Sequence, residues 1–152
     1  MVVLVSGDDS NDPRIELFIK IAAAEMIKKH GAVLFYIRNS GQFQSCAANI
    51  IRDISANVMF YTPFIPGCYS DKPCYNNPAY HCFNEKELSG YDPHKKDIFM
   101  LEACDGLITN ISSPESNSAE LAALALKKGF TVINVLKDDG MLSKPKNTPR
   151  LL

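Results

Sequence analysis

At 152 residues, with 46% hydrophobic and 22% charged residues, the chain has the size and composition of one globular domain spanning residues 1–152, neither low-complexity nor collagen-like. Sixteen Lys and Arg oppose seventeen Asp and Glu, a formal net charge of -1. Such a chain has no global field to hold polyanions, so the expectation is a small molecule bound locally, with no nucleic-acid polymer and no membrane as partner.

No apolar run approaches the ~18 residues of a membrane span, and MVVLVSGDDS lacks the basic start and long apolar stretch of a signal peptide. The expected setting is cytoplasmic. Five cysteines, Cys46, Cys68, Cys74, Cys82 and Cys104, are an odd number in a chain large enough to hold a core without staples. Reduced thiols are therefore expected rather than a disulfide framework.

Val2 to Val5 is a short β-branched run ended by Ser6-Gly7-Asp8-Asp9, the pattern of a strand buried on both faces. Asp12 as N-cap and Pro13 at the first helical position open a helix whose apolar positions Ile15, Phe18, Ile19, Ala22 and Met26 recur at helical spacing until Lys28, Lys29 and Gly31. Ala32 to Ile37 reads as a second strand, Asn39-Ser40-Gly41 as a turn, and Cys46, Ile50, Ile51 and Ile54 as one face of a second helix. Val58 to Phe60 starts a third strand, closed by Pro63 and Pro66.

Gly67 to Tyr91 is crowded with Cys, Tyr, Asn and Pro and has no period, so it reads as a long loop over an active site. Asp92-Pro93 opens a third helix to about Ala103, followed by the strand Gly106 to Ile111 and the turn Ser112 to Ser116. The helix Asn117 to Lys128 is apolar almost all round, which predicts burial on more than one side. Gly129 stops it, Phe130 to Leu136 makes a last strand, and Lys137 to Leu152 is a polar C-terminal tail.

Strands alternating with helices predict an α/β domain, a flavodoxin- or Rossmann-like three-layer sandwich with a mostly parallel sheet of about five strands. Ligands of such sheets sit at the carboxyl ends of the strands. That rule sends Ser6 to Asp9, Asn39 to Gly41, the long loop and Ser112 to Asn117 to one rim.

Two carboxylates stand out near that rim. Glu120 falls in the first turn of its helix, and with Asn117 as N-cap it occupies the place of a capping-box glutamate, so a structural and a chemical reading are both open. Asp97 lies about a turn into the third helix, either as a solvated charge beside Lys95 and Lys96 or facing the strand ends. Two acids reaching one pocket are the equipment of glycosidic chemistry, one attacking the anomeric carbon and the other handling a proton.

The stretch KDIFMLEACDGLITNIS followed by SPESNSAELAALALKKGFTVINV resembles the signature half of the nucleoside 2-deoxyribosyltransferases and their nucleotide N-hydrolase relatives. The resemblance covers the C-terminal third to half of the chain. It implies cleavage or transfer at an N-glycosidic bond without metal or organic cofactor. Glu120 matches the family's nucleophile and Asp97 the aspartate that orients or protonates the departing base. Ser112, Ser113 and Ser116 match the loop that holds a 5′-phosphate in the nucleotide-hydrolase branch, with Asn117 beside them. A homodimer or larger homo-oligomer is implied as well.

The pattern departs from the family where Pro114, Glu115, Ser116 and Asn117 replace glycines ahead of the nucleophile. Two segments compete for its N-terminal sugar or phosphate loop: LVSGDDS, with Gly7 and Asp8, and FYIRNSG, with Ser40 and Gly41. Asp8 and Asp9, if turned inward, would repel a phosphate. Other readings stay open: a non-catalytic nucleotide-binding module, a lysine-decarboxylase-like phosphoribohydrolase, whose PGGxGT stretch is absent, and a purely structural domain. Cys68, Cys74, His81 and Cys82 are four soft ligands without a C-x-x-C pair, so no zinc site is assigned to them.

Overall fold

A computed structural model describes residues 1–38, 41–55, 58–62, 80–82 and 92–136. The elements follow in the order β1 (Val2–Val5), α1 (Ile15–His30), β2 (Leu34–Arg38), α2 (Gln42–Ile54), β3 (Val58–Thr62), β4 (Tyr80–Cys82), α3 (Pro93–Leu101), β5 (Gly106–Thr109), α4 (Asn117–Lys127) and β6 (Thr131–Asn134). They alternate as the hydrophobic periods require and form the expected α/β, Rossmann-like fold.

The described strands make one sheet in the order β4-β3-β2-β1-β5-β6, and every paired neighbour is parallel. The sheet has six strands rather than about five. The extra one, β4, lies inside Gly67 to Tyr91, the stretch read as a loop. Three residues are too few for a period-2 pattern to show, and they become a strand only by pairing with β3, Phe60 opposite Tyr80. The rest of that stretch lies outside the described residues, as do Ser40, Cys68, Cys74 and the tail from Lys137.

Alternation along the strands divides the core. Val3, Val5, Phe35, Ile37, Ile108 and Ile133 pack under α1 and α2, whereas Leu4, Leu107 and Val132 pack under α3 and α4 with Met100, Leu101, Leu121 and Ala125. Side chains such as Phe35 and Leu107, fully buried, contribute about 1.5–3 kcal/mol each. Buried on both faces, these strands read as continuous apolar runs, which is why they were legible from sequence.

Helix ends shift from expectation where side chains act locally. The Asp12 carboxylate accepts from the Arg14 backbone N–H at 2.8 Å and from the Arg14 guanidinium at 2.7 Å. It therefore builds a turn ahead of α1, which begins at Ile15. Asp92 caps α3 as predicted, accepting from Lys95 N at 2.8 Å. In α4 the N-cap is Ser116, one residue earlier than expected. Burial of α4 is one-sided: Leu121, Ala122 and Ala125 face the sheet, while Leu126 is 39% exposed.

Candidate functional site

The chain leaves β1 toward β2 on one side, and β5 flanks β1 on the other. The crevice at their carboxyl ends is where open parallel sheets bind ligands. Here it is a cleft of about 140 Å³ with Ser6, Gly7 and Asp8 on one wall, Asn117 and Ser118 on another, and Arg38, His94 and Asp97 at its side.

The loops after β1 and β5 stay joined past the sheet. Ser6 N donates to Ile108 O at 3.1 Å and Asp8 N to Asn110 O at 2.8 Å, while Asn110 Nδ2 donates to Asp8 O at 2.8 Å. The approach is so close that a Cβ on Gly7 would lie 2.5 Å from Asn110 N and 2.9 Å from the Phe43 ring. Only glycine fits there.

At the cleft side, Asp97 is 3% exposed. Its carboxylate accepts from Ser6 Oγ at 2.5 Å and forms an ion pair with the Arg38 guanidinium. Gln44 Nε2 reaches Gly7 O at 3.3 Å and Ser6 Oγ at 3.4 Å. Of the two readings of Asp97, the solvated charge is excluded by its burial: it faces the strand ends. Gly41, at φ 93°, leads into α2; a Cβ on it would lie 2.5 Å from Gln44 Oε1.

Asp8 turns its carboxylate to the start of α4. Oδ2 accepts from Ser112 N at 2.8 Å and Ser112 Oγ at 2.7 Å, and Oδ1 accepts from Ser118 Oγ at 2.7 Å. Burial by itself raises the Asp8 pKa, but hydrogen bonds from Ser112, Ser118 and Ser116 outweigh it and hold the carboxyl below its ordinary value. Asp9 is used differently: its carboxylate accepts from Phe43 N at 3.0 Å and so satisfies the first turn of α2.

Glu120 is not a capping residue. With Ser116 as N-cap, accepting from Ala119 N at 3.2 Å, Glu120 is the fourth helical residue. Its Oε2 meets His94 Nε2 of α3 at 2.5 Å; the Glu120 side chain is 62% exposed and that of His94 14%. Glu120 therefore stands on the rim, tied to a residue that lines the cleft.

Of the residues singled out from sequence, Gly7, Asp8, Asp97 and Asn117 line the cleft. Ser112 holds Asp8, Ser116 caps α4, and Ser113 contributes its carbonyl to Ser116 N at 3.1 Å. Gly41 stands behind Gln44, and Ser40 is outside the described residues. Of the two competing N-terminal segments, LVSGDDS lines the cleft through Ser6, Gly7 and Asp8, and FYIRNSG reaches it through Arg38, with Asn39 and Ser40 outside the described residues. Sequence reasoning missed Arg38, Gln44 and His94, each of which had a signal. Arg38 ends a strand at the ligand-binding edge, Gln44 is a polar residue in the buried face of α2, and His94 lies three residues before Asp97 on one helix face. Among the described residues no group of three or more His, Cys, Asp or Glu could hold a metal ion, and no helix is long and apolar enough to cross a membrane.

No protein-family model matches the chain, and no curated protein matches it. Two solved structures share the fold. One is DNA processing protein A from Helicobacter pylori, which binds single-stranded DNA: 17% identity, TM-score 0.55, covering 87% of this chain and 63% of that one. The other is the Moco carrier protein from Chlamydomonas reinhardtii, at 17% identity and TM-score 0.56, covering 91% of this chain and 77% of that one. This chain thus spans less than two thirds of the DNA processing protein. The likeness corrects the exclusion of a nucleic-acid polymer, because a protein sharing this fold binds single-stranded DNA. Net charge reports the far field only and does not by itself exclude such a partner.

Proposed function

We propose that the cleft binds a nucleoside or nucleotide and that the domain cleaves or transfers at its N-glycosidic bond, in the manner of the nucleoside 2-deoxyribosyltransferases it resembles. The observation that carries this reading is the position of Glu120. It is not used in capping its own helix, and His94, one turn before Asp97, holds it on the rim of the cleft that Asp97 lines.

In this mechanism a Glu120 oxygen, released from His94, bonds to C1′ as the C1′–N bond breaks, and the departing base takes a proton from solvent water. Water or a second base then takes the sugar from Glu120. Asp97, fixed by Ser6 and Arg38, orients the departing base. The free thiols of Cys46 and Cys104 suit a reducing, cytoplasmic setting.

A second reading, a non-catalytic nucleotide-binding module, is favoured by one observation: the Asp97 carboxylate is already occupied by Arg38 and Ser6. Chromatography of reactions with a panel of nucleosides, nucleotides and single-stranded oligonucleotides separates the two. Release of free base, lost in Glu120→Gln, supports glycosidic chemistry. Calorimetric binding without any free base after hours establishes the binding module instead.

A further inference from the structure

The start of α4 offers the N–H groups and partial positive charge that hold anions in many folds, and the serine loop before it matches a phosphate loop in the resemblance above. In this chain the serines flanking that start already hold an internal carboxylate, that of Asp8. The three hydrogen bonds to Asp8 come from Ser112 and Ser118, on either side of the α4 N-cap Ser116. The Asp8 backbone cannot readily withdraw, since Asn110 clamps it through both Asp8 N and Asp8 O and Gly7 is wedged against Asn110 and Phe43. The donors to Asp8 are neutral dipoles, which solvate its charge without cancelling it. Among the described residues, the guanidinium lining the cleft, that of Arg38, is paired with Asp97.

We infer that Asp8 is a specificity-determining residue: its carboxylate occupies the serine donors beside the start of α4, so the cleft accepts a ligand that is uncharged there, a nucleoside with a free 5′-hydroxyl rather than a 5′-phosphate. The identity of the ligand rests on the nucleoside reading above; the exclusion of phosphate rests on Asp8 alone. A phosphate brought to Ser112 and Ser118 meets a fixed carboxylate within contact distance, a like-charge pair that weakens binding by about tenfold or more.

Two measurements test it. Inorganic phosphate is titrated into wild type, Asp8→Asn and Asp8→Ala while the amide resonances of Ser112 and Ser118 are followed by NMR, with circular dichroism as the check on folding. The expected result is no saturable shift in wild type and a saturable one in at least one folded variant. Calorimetry then compares nucleosides with their 5′-monophosphates, wild type preferring the nucleoside by about tenfold and the variants losing that preference. Phosphate binding by wild type at these amides, equal or tighter binding of the monophosphate to wild type, or folded variants that gain no phosphate site would each overturn the inference. If the variants gain phosphate while no protein binds any nucleoside, the nucleoside reading falls and the role of Asp8 stands.

Discussion

Arg38, the last residue of β2, and Asp97, one turn into α3, form an ion pair whose side chains are 11% and 5% exposed. The pair ties the sheet edge to the helix that carries His94, and it fixes the side of the cleft. Losing one partner leaves the other charge buried, which costs about 3 kcal/mol or more, whereas replacing both with apolar residues costs far less. Urea denaturation is therefore expected to show a large loss in Arg38→Met and a smaller one in Arg38→Met/Asp97→Leu. Equal losses in the two proteins would show that the pair is not the source.

Glu120 and Ser116 separate chemistry from capping within one helical turn. Ser116→Ala removes the cap of α4 and is expected to cost about 1 kcal/mol. Glu120→Ala removes an exposed contact with His94 and should change stability by about 0.5 kcal/mol or less, while abolishing any release of base. A Glu120→Ala protein as destabilised as Ser116→Ala would restore the capping reading.

The contrast between these residues shows what the sequence carried. Strands β1, β5 and β6 are short, mainly apolar runs buried on both faces, so their composition marks them, and the strand-end rule sends Gly7, Asp8 and Asn117 to the rim on which the cleft lies. The one-residue position of the α4 cap was not legible, because Ser116 and Asn117 are both good N-caps and the choice is made by tertiary contacts. Nor was the Arg38–Asp97 pair. Its partners are 59 residues apart and meet only because β2 and α3 end at one edge. The same holds for β4, which exists through pairing with β3 rather than through any pattern of its own.

Gly7 is the tightest backbone contact of the site. A methyl group there would overlap Asn110 N and the Phe43 ring, and neither the main chain nor a ring 2% exposed yields cheaply. Gly7→Ala is expected to cost about 2–3 kcal/mol and to disturb the Asn110 contacts to Asp8. A thermal midpoint within a degree or so of wild type would show that the loops can part without loss.

Asp8 gives the acid limb of stability a definite sign. Its folded pKa lies below the ordinary 3.8, so the carboxylate is favoured in the folded state. The stability this contributes is fully present above the unfolded pKa and drains away as the pH falls from 3.8 through the lower folded value. Asp8→Asn is expected to be less stable than wild type at neutral pH, with the difference shrinking on acidification through that window. A difference that stays constant down to the end of the window would assign the loss to packing rather than to charge.

Thr109, the last residue of β5, is fully buried, and its Oγ1 is the one buried side-chain polar atom without a hydrogen-bond partner among the described residues. Its neighbours on the sheet are in order, since its carbonyl accepts from Val135 N at 2.8 Å; only the hydroxyl is left unsatisfied. Burying an unpaired hydroxyl costs about 1–3 kcal/mol, and a methyl group of the same shape removes that cost. Valine keeps the β-branch and its strand preference. Thr109→Val is therefore expected to raise stability by about 1 kcal/mol, read as a higher urea midpoint at unchanged slope. A fall in that midpoint would mean that the hydroxyl finds a partner in solution, and nucleoside binding by the same variant would then show whether that partner belongs to the cleft.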